Sequence, residues 1–250
     1  MRRLTLLAKG NADVRDSLLF LREGDCVVWN GINALSQGRA RFHVRHEVMT
    51  RSDALLGPRP TGSLPEMEGA FAPARQFETA LFDGVADAVI LSIQPDVMNN
   101  MVRHRADGHL LYPHEAERWT AEARAALTRD YAPVPSLSPE QSMDHMEGVI
   151  RRIGERPVLI YSMSAASLWD EPHDYRGIGE TLANRIRAFN LALIDLSRRT
   201  GASIVDVDRL IARDGARALK RDMIGFTAEG CRAVAGEILR ILEWHGLVPE

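Results

Sequence analysis

Cysteine is scarce. Two occur in 250 residues, Cys26 in a strand-like run and Cys231 in a helical one, too few for a disulfide framework. They read as buried thiols. Aromatics are also few, and none interleave with a basic run, which argues against a nucleic-acid surface. Neither sign of charge dominates, with 31 basic against 34 acidic residues. No apolar stretch reaches membrane-spanning length. The start, Met1-Arg-Arg-Leu-Thr-Leu-Leu-Ala-Lys9, is basic, but its apolar run is too short for an export signal. There is no internal repeat and no low-complexity tract. These absences point to a cytoplasmic protein acting on a small molecule, with no nucleic acid and no membrane as partner. They leave oligomeric state open, a homo-oligomer included.

What is present is a rhythm of short apolar runs. Leu4–Ala8, Cys26–Trp29, Ala88–Ile93, Val158–Tyr161 and Ser203–Val207 are continuous rather than alternating, as in strands covered on both faces. Helical patterns separate them. Leu182, Ile186, Phe189, Leu193 and Leu196 form one stripe, with Arg185, Arg187, Asp195, Arg198 and Arg199 off it and Gly201 as a stop. Ser138-Pro-Glu-Gln141 is a capping-box start, followed by Met143, Met146, Ile150 and Ile153 on one face. The last helix shows Cys231, Val234, Ala235, Ile238, Ile241 and Leu242. Alternating strands and helices predict one α/β domain over residues 1–250: three layers, α/β/α, around a parallel sheet of about five strands, with flavodoxin-like winding. Segments 39–72 and 94–138 interrupt the rhythm and read as loop or lid insertions. Residues 57–72, rich in Pro and Gly, are expected to lie over the site.

In such sheets ligands bind beyond the carboxyl ends of the strands. The first strand is followed by Asn11, Asp13, Arg15, Asp16 and Ser17. The second is followed by Asn30 and Asn33, and the third by Gln94, Asp96 and Asn99. After the fourth come Ser162, Ser164 and His173, the last flanked by Asp170, Glu171 and Asp174, which could orient an imidazole. Polar groups gathered at one rim suit a polar small molecule. His104, His109 and His114 recur every five residues, and His43 and His46 form a second pair. Neither set has a recognised zinc spacing, so no metal is expected.

The run Lys220-Arg-Asp-Met-Ile-Gly-Phe-Thr-Ala-Glu-Gly-Cys231 places Asp222 in a loop and Thr227 as a cap before the closing helix. With Gly10-Asn11-Ala12 after the first strand, the layout resembles the SGNH/GDSL hydrolase superfamily. Its first block reads Gly-Asp-Ser and its last Asp-x-x-His. Here Ala12 stands at the Ser position and Gly225 at the His position. A second register, Arg15-Asp16-Ser17-Leu18, resembles the family's Asp-Ser-Leu. The resemblance implies ester or acyl hydrolysis or transfer on a polar small molecule or carbohydrate, without a cofactor. Ser17 would be nucleophile, with Asp222, His173 and Asp13 as the other catalytic groups. Asn30, Gly31 or Asn33 would supply oxyanion donors. Two alternatives follow from the missing blocks. One is a biosynthetic elimination, cyclisation or isomerisation run by Asp13, Asp16, Asp96 and Asp222. The other is an inactive protein that binds a ligand or partner at the same rim.

Overall fold

A computed structural model describes residues 3–21, 41–48, 50–61, 71, 76–77, 79–166 and 181–248. Five strands form a parallel sheet: β1 (Arg3–Gly10), β2 (Arg41–Val48), β3 (Ala88–Ser92), β7 (Val158–Tyr161) and β8 (Ser203–Val205), in the order β2-β1-β3-β7-β8. Counting these five in chain order gives 2-1-3-4-5. The winding therefore reverses between β1 and β3, where open α/β sheets bind ligands.

Among the described residues the strand beside β1 on its outer side does not come from one of the apolar runs. Cys26–Trp29 lies outside the described residues. β2 instead comes from segment 39–72, read above as an insertion, and pairs with all of β1 from Arg3↔Arg41 to Gly10↔Val48. β2 is an edge strand, so its pattern is period two: Phe42 and Val44 are buried, His43 and Arg45 exposed. An edge strand with charges facing water does not look like a continuous apolar run.

Helices cover both faces. On one face α1 (Ala12–Leu18), α7 (Val207–Asp214) and α9 (Ala228–Trp244) pack with Leu4, Leu6, Ala8, Ile90 and Leu159. On the other, α5 (Pro139–Ile153) and α6 (Leu182–Thr200) pack with Leu7, Val89, Leu91 and Ile160. The alternation along β1 and β3 sends successive side chains to opposite layers. The expected caps are present. Ser138 and Gln141 form a reciprocal capping box, and Gly201 ends α6 with φ 76°. Arg185 departs from expectation. It is buried and donates to the carbonyls of Val97 (3.0 Å) and Leu137 (2.8 Å), so α6 grips the chain that follows β3.

Segment 94–138 holds a second, antiparallel sheet of β4 (Val102–His104), β5 (Leu110–Leu111) and β6 (Tyr131–Pro133), ordered β5-β4-β6. It also holds α3 (Gln94–Met98) and α4 (Ala121–Asp130), while α2 (Ser52–Leu56) precedes β3. Between α7 and α9 lies the short α8 (Ala216–Leu219). Among the described residues no helix is long and apolar enough to cross a membrane.

Candidate active site

Gly10 ends β1, and α1 begins two residues later. A Cβ on Gly10 would lie 2.2 Å from the Val14 side chain, so glycine lets the helix start directly over the strand end. The tight turn brings Asp13 back over β3. Ser92, the last residue of β3, donates from Oγ to Asp13 Oδ2 at 2.7 Å and accepts the Gln94 N–H at 3.0 Å. This Asp13–Ser92–Gln94 group sits at the β1/β3 reversal.

Asp13 and Gln94 open onto a small cavity of about 10 Å³, lined also by Ser162, Ser164, Met223 and Phe226 among others. That is room for about one water. The serines are occupied: Ser162 Oγ accepts the Val207 N–H at 2.9 Å, and Ser164 Oγ the Ala166 N–H at 3.1 Å. Two buried acceptors are not. Asp13 Oδ1 and Gln94 Oε1 have no hydrogen-bond partner. Asp13 is 4% exposed, and burial raises its pKa from 3.8 to about 6, against the opposing Ser92 hydroxyl and the nearby backbone N–H groups of Val14 and Asp13 itself. An unpaired carboxyl oxygen in a cavity, on a group that titrates near neutrality, can take or give a proton.

Lys220 braces the rim. Its ammonium is buried and donates to the carbonyls of Ser164 (3.3 Å) and Ala166 (2.6 Å), and burial lowers its pKa to about 8. A wider groove of about 840 Å³ adjoins the cavity through Ser162 and runs past Asn190, Asp206 and Arg209. Its Glu237 is paired with Arg240 (2.7 Å) and Arg209 (3.4 Å).

Among the described residues, the other expected site residues have partners outside the cavity. Ser17, the expected nucleophile, lies inside the packing between helix and sheet. It is fully buried one helical turn beyond Asp13, shares a 2.7 Å hydrogen bond with Tyr161 Oη, and donates to the Asp13 carbonyl at 2.8 Å. Its hydroxyl ties α1 to β7. Arg15 and Asp16 pair with each other on the outer side of α1 (2.7 Å), off the cavity. Asn11 precedes α1 without capping it through its side chain. Asp96 is buried on the other side of α3. It accepts the Ser52 N–H (2.8 Å), the Ser52 hydroxyl (2.6 Å) and the Ser142 hydroxyl, tying α2, α3 and α5 together. Burial pushes its pKa up against those three bonds. Asn99 is buried and does not line the cavity among its described walls.

Asp222 is a turn former. Its Oδ1 accepts the N–H groups of Ile224 (2.9 Å) and Gly225 (2.6 Å), closing the loop between Lys220 and Phe226. Burial pulls its pKa up, but these N–H groups and Arg221 outweigh it and hold the carboxyl below its ordinary range. A Cβ on Gly225 would lie 2.7 Å from the Arg221 guanidinium and 3.0 Å from the Asp222 carboxylate. The folded-back carboxylate thus fills the space in which a side chain at 225 would begin. Asn30, Asn33 and His173 lie outside the described residues. So does most of the expected lid; of it, Arg59 bonds Thr79 and Thr61 bonds Asp107, neither of them a cavity residue. No imidazole lines the cavity among the described residues. Ser92 was missed by sequence reasoning because it hides at the end of an apolar run. A lone hydroxyl closing a buried strand was the available signal.

Solved structures show which architecture this is. The lipase/acylhydrolase of Enterococcus faecalis superposes with a TM-score of 0.52 at 11% identity, over 98% of this chain and 97% of that one. The chain has the SGNH/GDSL-hydrolase fold. The acetylxylan esterase Axe2 of Geobacillus stearothermophilus is similar (TM-score 0.50, 10% identity, 96% and 93% covered). So is a member of the lipolytic protein G-D-S-L family from Veillonella parvula (0.50, 10%, 97% and 99%). No protein-family model matches the sequence, and no curated protein does. This SGNH fold carries Asp13 and Ser92 at the reversal of winding, with the turn-forming Asp222 beside Gly225 in place of Asp-x-x-His.

Proposed function

We propose that this chain is an SGNH-fold enzyme that cleaves or transfers an ester or acyl group on a polar small molecule, with Asp13 as its acid–base group. The observation that carries the reading is the Asp13 carboxyl: buried at the winding reversal, with Oδ1 unpaired and burial pushing its pKa up to about 6. Asp13 Oδ1 and Gln94 Oε1 are both acceptors when Asp13 is ionised. They call for a ligand or water that brings O–H or N–H donors, such as a sugar hydroxyl. In the hydrolytic version Asp13 takes a proton from water as the water oxygen bonds to the acyl carbon, then returns it to the departing alkoxide. One water is consumed and nothing is oxidised. A cytoplasmic setting, no cofactor, and no nucleic acid or membrane belong to the same reading. Acetylxylan esterases among the structural neighbours make acetylated sugars a sensible substrate panel, beside short aryl esters.

The buried Ser17 and the bound Asp222 favour a second reading, ligand binding without turnover. Kinetics separate the two. On the proposed reading kcat/KM rises as the pH passes about 6, and Asp13→Asn lowers it by at least about a hundredfold. Unchanged turnover in Asp13→Asn would remove Asp13 from the chemistry. Saturable sugar binding with no cleavage in the wild type would establish the second reading.

A further inference from the structure

The turn between β4 and β5 carries a cluster the cavity does not use. His104 ends β4, Asp107 lies in the turn, and His109 immediately precedes β5. One ligand atom from each lies within 4.8 Å of the others. The two imidazoles stack, centroids 4.8 Å apart at 15°. Both Nδ1 atoms reach the same carboxylate: His104 Nδ1 bonds Asp107 Oδ1, and His109 Nδ1 stands 3.5 Å from Oδ2. The latter contact lacks hydrogen-bond geometry. His109 is 1% exposed, and its Nδ1 is a buried atom without a hydrogen-bond partner.

We propose that His104, Asp107 and His109 bind a divalent first-row transition ion, zinc foremost, which clasps the β4–β5 turn. Two imidazole nitrogens and one carboxylate suit zinc, and offer too few oxygens for calcium or magnesium. Three protein ligands leave a position for water. The outer partners that metal ligands need are already in place. His109 Nε2 meets Tyr131 Oη at 3.2 Å, and Thr61 Oγ1 donates to Asp107 Oδ2 at 2.5 Å. With the Nε2 proton given to Tyr131, the Nδ1 lone pair is free for the ion. The need for a clasp is visible in the packing. The small sheet's strands have three, two and three residues, and among the described residues the cluster packed at them has Ala54, Met101 and Leu110 as its buried members. An ion bound only by the folded turn adds its binding free energy to folding. The sequence spacing hid the site because a turn, not a helix face, brings the ligands together.

The test is calorimetric titration of the chelator-stripped full chain with Zn²⁺, with Co²⁺ absorption as a report on coordination. One ion per chain is expected, with affinity at least about tenfold weaker in His104→Ala, Asp107→Asn and Tyr131→Phe. His104 and Asp107 are partly exposed, and circular dichroism of each metal-free variant checks the fold. Zinc should raise the melting temperature of the wild type and not of His104→Ala. Absence of stoichiometric binding, or equal affinity in His104→Ala and Asp107→Asn, overturns the site. Binding that leaves the wild-type melting temperature unmoved overturns the clasp.

Discussion

Replacing Asp13 by Asn should stabilise the protein at neutral pH while removing its activity. Burial raises the Asp13 pKa from 3.8 to about 6, so ionising it costs more in the folded chain than in the unfolded one. The sign follows. The group's contribution is fully present below pH 3.8, where both states are protonated, and is lost as the pH rises to and through about 6. Above that the buried charge costs about 3 kcal/mol, at 1.36 kcal/mol for each pH unit between the two values. Asn keeps the acceptor for Ser92 and carries no charge. Asp13→Asn is therefore expected to exceed the wild type by about 2–3 kcal/mol at pH 8, with the gap shrinking as the pH falls towards 4. Urea denaturation of both proteins across that range measures it, and the difference between them cancels every other titrating group. A gap that does not vary with pH, or a less stable Asp13→Asn at pH 8, would refute the account of Asp13 as a buried carboxyl with one oxygen unpaired. A stability gain paired with lost turnover is the signature of a group retained for chemistry.

Three further outcomes are expected. Ser17→Ala should leave turnover intact and cost about 1 kcal/mol by leaving Tyr161 Oη without its partner; serine-directed phosphonates should label the wild type poorly, and rapid labelling at Ser17 would reverse that assignment. Asp222→Ala should lower stability by about 1–2 kcal/mol through the lost N–H bonds to Ile224 and Gly225, read in thermal melting, with any loss of activity reflecting the displaced Lys220 loop. Val234→Asp should destabilise by several kcal/mol, because Val234 is 1% exposed against the sheet and a charge there has no partner; a melting temperature within a degree or two of the wild type would place that face of α9 outside the core.

The sequence by itself determined the layers. Strands covered on both faces are largely apolar, so β1, β3 and β7 were legible, and the short β8 fell within an expected run; α5, α6 and α9 were legible from their stripes and caps. The edge strand β2 was not, since His43 and Arg45 alternate outward between buried Phe42 and Val44. At the site, Asp13 and Gln94 were legible because each follows a strand directly. Only the tertiary structure decided which polar residues converge. Ser17 and Asp13 lie four apart on one short helix, yet Ser17 packs inward on Tyr161 while Asp13 meets Ser92 from another strand. Asp96 and Asp222 look like equals of Asp13 in sequence, but their oxygens are taken by Ser52 and Ser142, and by backbone N–H groups. A carboxylate's chemistry depends on which neighbours satisfy it, and those neighbours arrive from distant parts of the chain. Periodicity reports burial along one element; it carries no information about partners on another.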